Sequence, residues 1–358
     1  MIFEWHKKEA PFFTGITRGV GGSGFGKPAA GSGGPRRSGR PVIITMWGGG
    51  AGGYIRKAGP EWGPPSTSGG IGASMIATTT DINLGLSSGD QLYIYVGGGG
   101  AMPGPGGSNG GHPGGGGGGS GGYGGGGGGM SSVYMKGPFS TGTLLLVAGA
   151  GGGGSGAFLE ISHLDSRFSS RGGTQSSGGA GGPGVSGGGP GSPGSQFNGG
   201  NAGTHGGAGG AGYYGGGGGP GDGGAATGGN GGTGSCYINT SYFTEDAEDS
   251  GISNGVVIAN IFRRFPAPFN PPMPISGPPT ASYPFFPLIG YPGPYYFGAG
   301  DNTSSPFPGQ NAGHPLYNAS YGGSSTSGGN GSPGSVHITI AGTTYSYTTA
   351  GPHIFTVP

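Results

Sequence analysis

Short apolar runs separated by long stretches almost without side chains set the pattern of this chain. PVIITMWGGGAGG (41–53) opens with a β-branched run between proline and glycine, the mark of a buried strand. IGASMIATTTDINLGL (71–86) alternates well enough for one or two strands, and SGDQLYIYVGGGG (88–100) is a turn followed by another. In SSVYMKGPFSTGTLLLVAGAGGGG (131–154), VYMK and LLLVAGA flank a GPFSTGT turn, which predicts a hairpin. SCYI (235–238), GVVIANIF (255–262) and GSVHITI (334–340) follow as apolar strands, and TTYSYTTAGPHIFTVP (343–358) closes the chain as a hairpin of alternating strands around an Ala-Gly-Pro turn. No segment has the period of a long helix; GAFLEISHLDSRF (156–168) allows one or two turns at most. The pattern predicts an all-β fold, an antiparallel β-sandwich or jelly-roll-like scaffold with little or no α-helix.

Between the strands lie the glycine runs, of which GGGGGGSGGYGGGGGG (114–129) is the most extreme. Glycine loses the most backbone freedom on folding, so the default reading is a flexible linker. Yet LYIYV runs directly into GGGG, and LLLVAGA into GGGG, so a strand fixes where each glycine segment begins and its direction. In the polyproline II conformation such a segment is a thin rod with three residues per turn and no internal hydrogen bonds. Rods packed side by side satisfy one another, and only glycine lets them approach closely enough. Interior polyglycine II rods are expected to be almost pure glycine, with Ser, Asn, Ala, Pro or Tyr at the perimeter. GGPGVSGGGPGSPGS (181–195) and GGAGGAGYYGGGGGPGDGG (206–224) are expected at the perimeter. Backbone ordering costs about 1–2 kcal/mol per residue, against a net gain of about 0.5–1.5 kcal/mol per hydrogen bond, so a β scaffold must anchor the bundle.

Composition sharpens this picture. The 358 residues include 103 glycines and 32 prolines, a share that ordinarily signals low complexity. Disorder also calls for high net charge and few aromatics, whereas this chain has a net charge of +1, 8% charged residues, 17 Tyr, 17 Phe and 3 Trp. The single cysteine, Cys236, excludes an internal disulfide and a cysteine-based metal cage. MIFEWHKKEAPFF lacks the apolar segment of a signal peptide, and no run of 18 apolar residues occurs, so assembly in a reducing cytoplasm with no membrane insertion is expected. Nine of the 14 Lys and Arg fall within residues 1–60. Without an RNA-binding signature, a docking arm over residues 1–40 is favoured over nucleic-acid contact, with Trp5, Lys7, Lys8, Phe12, Phe13, Arg36 and Arg37 as its contact residues.

Residues 263–327 break the pattern as a Pro/aromatic-rich insertion, with thirteen prolines and ten Phe or Tyr between Phe265 and Pro308. One reading makes this a recognition loop, with Tyr283, Phe285, Phe286, Tyr291, Tyr295, Tyr296 and Phe297 stacking on sugars or gripping a partner protein. The other makes it a cover over the open end of the scaffold. Motifs for chemistry fail on inspection. GGSGFGK (21–27) begins like a phosphate-binding loop, but Pro28 stands where its Ser or Thr belongs. GVSGG (184–188) has no preceding strand to make a nucleophile elbow, and EDAED (245–249) lacks calcium-loop spacing. No enzyme activity, cofactor or metal site is expected.

The order of the pieces resembles the glycine-rich domain of the anaplastic lymphoma kinase and leukocyte tyrosine kinase receptors, and glycine-rich modules of phage tail fibres. The matching segments are VIITMWGGGAGG, GDQLYIYVGGGG, GGGGGGMSSVYMK followed by LLLVAGAGGGG, the block through GGNGGTGSCYI, and GSPGSVHITI. The resemblance implies a β-sandwich carrying polyglycine helices over 41–262 plus 328–342. It also implies a virion structural protein: a phage tail-fibre, tail-tip or surface component bound to other virion proteins, oligomeric, and contacting a host-surface glycan or protein. Alternatives are a capsid or tail structural protein without a receptor role, and a non-viral glycine-rich extracellular or ligand-binding module. In the phage modules a segment like 343–358 opens the domain. Here it either packs back beside the first strand or joins a neighbouring subunit's sheet.

Overall fold

The computed structural model describes residues 39–53, 69–101, 111, 113–119, 124–155, 172–173, 176–183, 188–221, 228–243, 252–253, 256–259, 314–318, 320–323 and 329–358. All belong to the second of two units, Gly39–Pro358. Two antiparallel sheets face each other across one apolar core, the all-β sandwich that the alternation predicts.

The first sheet contains β1 (Pro41–Trp47), β2 (Ser74–Thr80), β7 (Ile252–Ser253), β8 (Val256–Ala259), β9 (Ser335–Ile340) and β10 (Thr343–Tyr347), in the order β10-β9-β1-β2-β8-β7. The second contains β3 (Gln91–Val96), β4 (Ser131–Met135), β5 (Thr143–Ala148), β6 (Tyr237–Ile238) and β11 (Gly351–Thr356), in the order β11-β3-β4-β5-β6. Alternation sets which residues face inward. Val42, Ile44, Met46, Met75, Ala77, Val336, Ile338 and Ile340 come from the first sheet; Leu92, Ile94, Val96, Val133, Met135, Leu146 and Phe355 from the second. The hairpin expected from VYMK and LLLVAGA forms as β4–β5, with a bulge between Val133 and Tyr134. In 71–86 the chain makes one strand and then a single helical turn, α1 (Asp81–Leu84), rather than a second strand. Thr80 caps that turn by accepting from Asn83 N–H (3.2 Å), and Gly85 ends it at φ 64°.

The C-terminal expectation requires correction. β10 and β11 do not pair with each other as a 343–358 hairpin. β10 joins β9 through an Ala341-Gly342 turn, while β11 crosses to the other sheet and pairs with β3. The reason lies in the apolar positions: Tyr345 packs on the core and against Phe355 (ring centroids 5.0 Å), so the two strands bury the same interior from opposite layers. Arg40 holds this corner. Its guanidinium binds the Asp81 carboxylate (2.7 Å) and the Pro358 carbonyl (2.8 Å), and its backbone N–H donates to Asp81 Oδ1 (2.8 Å). The Arg40 side chain keeps the Asp81 carboxyl below its usual pKa.

Candidate functional site

β1, β3 and β5 each run at their C-terminal end into a glycine segment, and β2, β4 and β9 each begin where one returns. One buried hydroxyl aligns three of these junctions. Ser131 Oγ donates to the Trp47 carbonyl (2.6 Å) and accepts from Gly97 N–H (3.0 Å), tying the ends of β1 and β3 to the start of β4.

Beyond the junctions, the glycine segments bond to one another in steps of three. In 48–53, Gly48 and Ala51 donate to Ala73 and Gly70, Gly49 and Gly52 to Gly129 and Gly126, and Gly50 and Gly53 to Ser332 and Gly329, at 2.8–3.2 Å. Three consecutive N–H groups thus address three different neighbours, and the fourth returns to the first. Segment 124–130 repeats the pattern: Gly125 and Gly128 donate to Gly154 and Gly151, Gly126 and Gly129 to Ala101 and Gly98, and Gly127 and Met130 to Gly116 and Pro113. Its carbonyls at 125 and 128 receive Ala208 and Ala211, and those at 126 and 129 receive Gly52 and Gly49.

Segment 206–211 is the most connected. It donates to Gly229 and Gly232 (from 207 and 210), to Gly125 and Gly128 (from 208 and 211) and to Gly200 (from 209). It accepts from Gly219 and Gly216, from Gly153 and Ala150, and from Gly119 and Gly116. Six neighbours surround it, some parallel and some antiparallel. Its expected perimeter place is therefore overturned. GGAGGAG is interior because its two non-glycine side chains, the methyls of Ala208 and Ala211, recur at the same three-residue step and are fully buried. Segment 188–195 does lie at the edge, with Pro190, Ser192 and Pro193 exposed.

Close approach excludes larger residues. A Cβ on Gly128 would overlap the Gly49 carbonyl, and one on Gly209 the Gly216 carbonyl; neither neighbour is a side chain that can turn away. The lattice is nearly chargeless, and among the described residues no group of three or more His, Cys, Asp or Glu is placed to hold a metal. No described helix is long and apolar enough to cross a membrane.

Two aromatic clusters brace the outer faces, and neither was read from the sequence. On the first sheet, Trp47 is fully buried beneath His314 (5.8 Å between ring centroids), Tyr317 (5.9 Å), Tyr321 (6.1 Å) and His337 (5.7 Å). The His337 ring nitrogens lie 2.8 Å from Ser346 Oγ and 3.2 Å from Ser335 Oγ. Burial, and then the neighbouring His314, push the His337 pKa down to about 4; burial lowers that of His314 as well. On the second sheet Tyr95, Tyr134, Phe139, Phe197, Tyr213 and Tyr237 form a chain of ring contacts, closest at the stacked Tyr213–Tyr237 pair (4.2 Å). The alternation of LYIYV places Tyr95 on that face, but its partners come from segments far away in sequence.

The docking-arm residues Trp5, Lys7, Lys8, Phe12, Phe13, Arg36 and Arg37 lie outside the described residues, as do Tyr283, Phe285, Phe286, Tyr291, Tyr295, Tyr296 and Phe297. No model of a known protein family matches this chain, and no curated protein does either.

Proposed function

We propose that this chain is a virion structural protein, a tail-fibre, tail-tip or surface component of a tailed phage, whose glycine segments are polyproline II-type rods packed into a bundle on a β-sandwich. The observation that supports it most is the six-neighbour, three-step bonding around 206–211. A three-residue period with every hydrogen bond made to a neighbouring segment is what such rods require. The bundle gives a stiff body with few charges and few side chains. That suits a mechanical part of a particle better than an enzyme, which needs convergent polar groups in a cleft. The resemblance of the strand and glycine order to phage fibre modules points the same way. In this reading residues 1–40 dock the body onto other virion proteins. The loops joining the glycine rods, together with the Pro/aromatic insertion, meet a host glycan or protein.

The test is location followed by competition. Mass spectrometry of purified virions should find the chain, antibody labelling should place it on the tail or outer surface, and the purified chain should slow virion adsorption to host cells. Absence from virions overturns the proposal. Presence without competition replaces it with the capsid or tail structural protein that has no receptor role.

A further inference from the structure

β10 is an edge strand of the first sheet, and its hydrogen-bonding phase can be fixed. Ala341 N–H donates to the Pro41 carbonyl (3.3 Å), so Ser335, His337 and Thr339 turn their backbone groups toward β1. Val336, Ile338 and Ile340 then face β10, where their partners are Tyr347, Tyr345 and Thr343. The turn agrees: Ala341 and Gly342 have φ of 49° and 83°, as a two-residue hairpin turn needs, and the pair flanking such a turn is hydrogen-bonded. The N–H and C=O groups of Thr344 and Ser346 therefore point away from the sheet, and both residues are exposed.

Among the described residues, nothing along this edge discourages pairing. TTYSY contains no charge, no proline and no bulge, which are the usual defences of an edge strand. The other edges differ: β11 carries Pro352, and β6 and β7 are two residues long.

We propose that a second copy of this chain pairs with β10, antiparallel about a two-fold axis at Tyr345. In that register Thr344 lies opposite the partner's Ser346, and Ser346 opposite the partner's Thr344. Each pair exchanges two main-chain hydrogen bonds, four in all. Polar side chains meet polar side chains on the outer face. On the inner face the half-buried Tyr345, packed on Phe355, meets its own symmetry mate and closes that flank of the core. An uncharged strand meets itself without like-charge repulsion, and a two-fold pairing closes rather than propagating. This inference does not depend on the virion reading.

Sedimentation equilibrium of the full chain over a concentration series tests it, with a monomer–dimer equilibrium expected. Thr344→Lys/Ser346→Lys should weaken the dimer by about tenfold or more, and mixing it with Thr344→Glu/Ser346→Glu should restore association. The restored pair also shows that the variants fold. Tyr345→Cys should form a disulfide-linked dimer under mild oxidation, because residues facing each other at a non-hydrogen-bonded position sit about 4.5 Å apart. Thr343→Cys, placed opposite Tyr347 of the other copy, should not, and the native Cys236 is buried. A chain that stays monomeric, a dimer indifferent to the lysine pair, or equal cross-linking at 343 and 345 overturns the proposal.

Discussion

Replacing Gly209 with alanine adds one methyl group to the most connected segment. Its Cβ would overlap the Gly216 carbonyl oxygen and lie 2.8 Å from Gly200 N, both of them backbone. No rotamer change relieves this, so the neighbouring segments must move apart. Overpacking of that kind costs about 1–3 kcal/mol. It also strains two hydrogen bonds, from Gly209 to Gly200 (2.8 Å) and from Gly116 to Gly209 (2.9 Å), at about 0.5–1.5 kcal/mol each. The alanine stiffens the unfolded chain and returns about 0.4–1 kcal/mol, which leaves a destabilisation of about 3 kcal/mol. Gly189 is the control: nothing lies within 4 Å of its Cβ position and its φ is not positive, so Gly189→Ala should be neutral or slightly stabilising. Urea unfolding of the two variants beside the parent reads the difference as a shift in midpoint. If Gly209→Ala unfolds at the same urea concentration as Gly189→Ala, the close-packed lattice is wrong.

Ser131→Ala strips the buried Trp47 carbonyl and Gly97 N–H of a shared partner. A loss of about 1–3 kcal/mol is expected, chiefly from the orphaned Gly97 N–H, and an unchanged melting temperature would contradict the junction's role. His337, 3% exposed, stays neutral in the folded chain down to about pH 4, while in the unfolded chain it protonates near 6.5. A depressed folded pKa means that its contribution is complete above pH 6.5 and is lost as the pH falls toward 4. The loss should reach about 2–3 kcal/mol, and stability curves of the parent and His337→Gln should converge over that window; parallel curves would refute it. Burial raises the Cys236 thiol to about 11, so iodoacetamide should label it only at the rate of unfolding. Rapid labelling of the native chain would show that β6 is not seated.

Much of the scaffold was legible because strand periodicity is local. LYIYV, VYMK and LLLVAGA declare their faces and their hairpin within a few residues. The glycine segments were legible as a class, since strands enter them directly, but their ranking was not. Alanines in GGAGGAG suggested a perimeter, yet their three-residue spacing puts both methyls into the same gap between neighbours; only the packing reveals that gap. The closing strands misled for a similar reason. TTYSY and GPHIFT alternate like a hairpin, but each finds a better partner in a sheet whose edge was built hundreds of residues earlier, at β3, or just before it, at β9. The ring of His314, Tyr317 and Tyr321 over Trp47 has no local signature, because an outward-facing tryptophan on a strand does not reveal which segment will cover it.

Hydrogen exchange of the glycine amides tests the central claim most directly. If 124–130 and 206–211 are bonded as described, amides such as Gly128, Gly209 and Ala211 should exchange only through global unfolding, as slowly as those of β1 and β4. Exchange at the rate of a free glycine peptide, with the sheets still protected, would contradict the lattice.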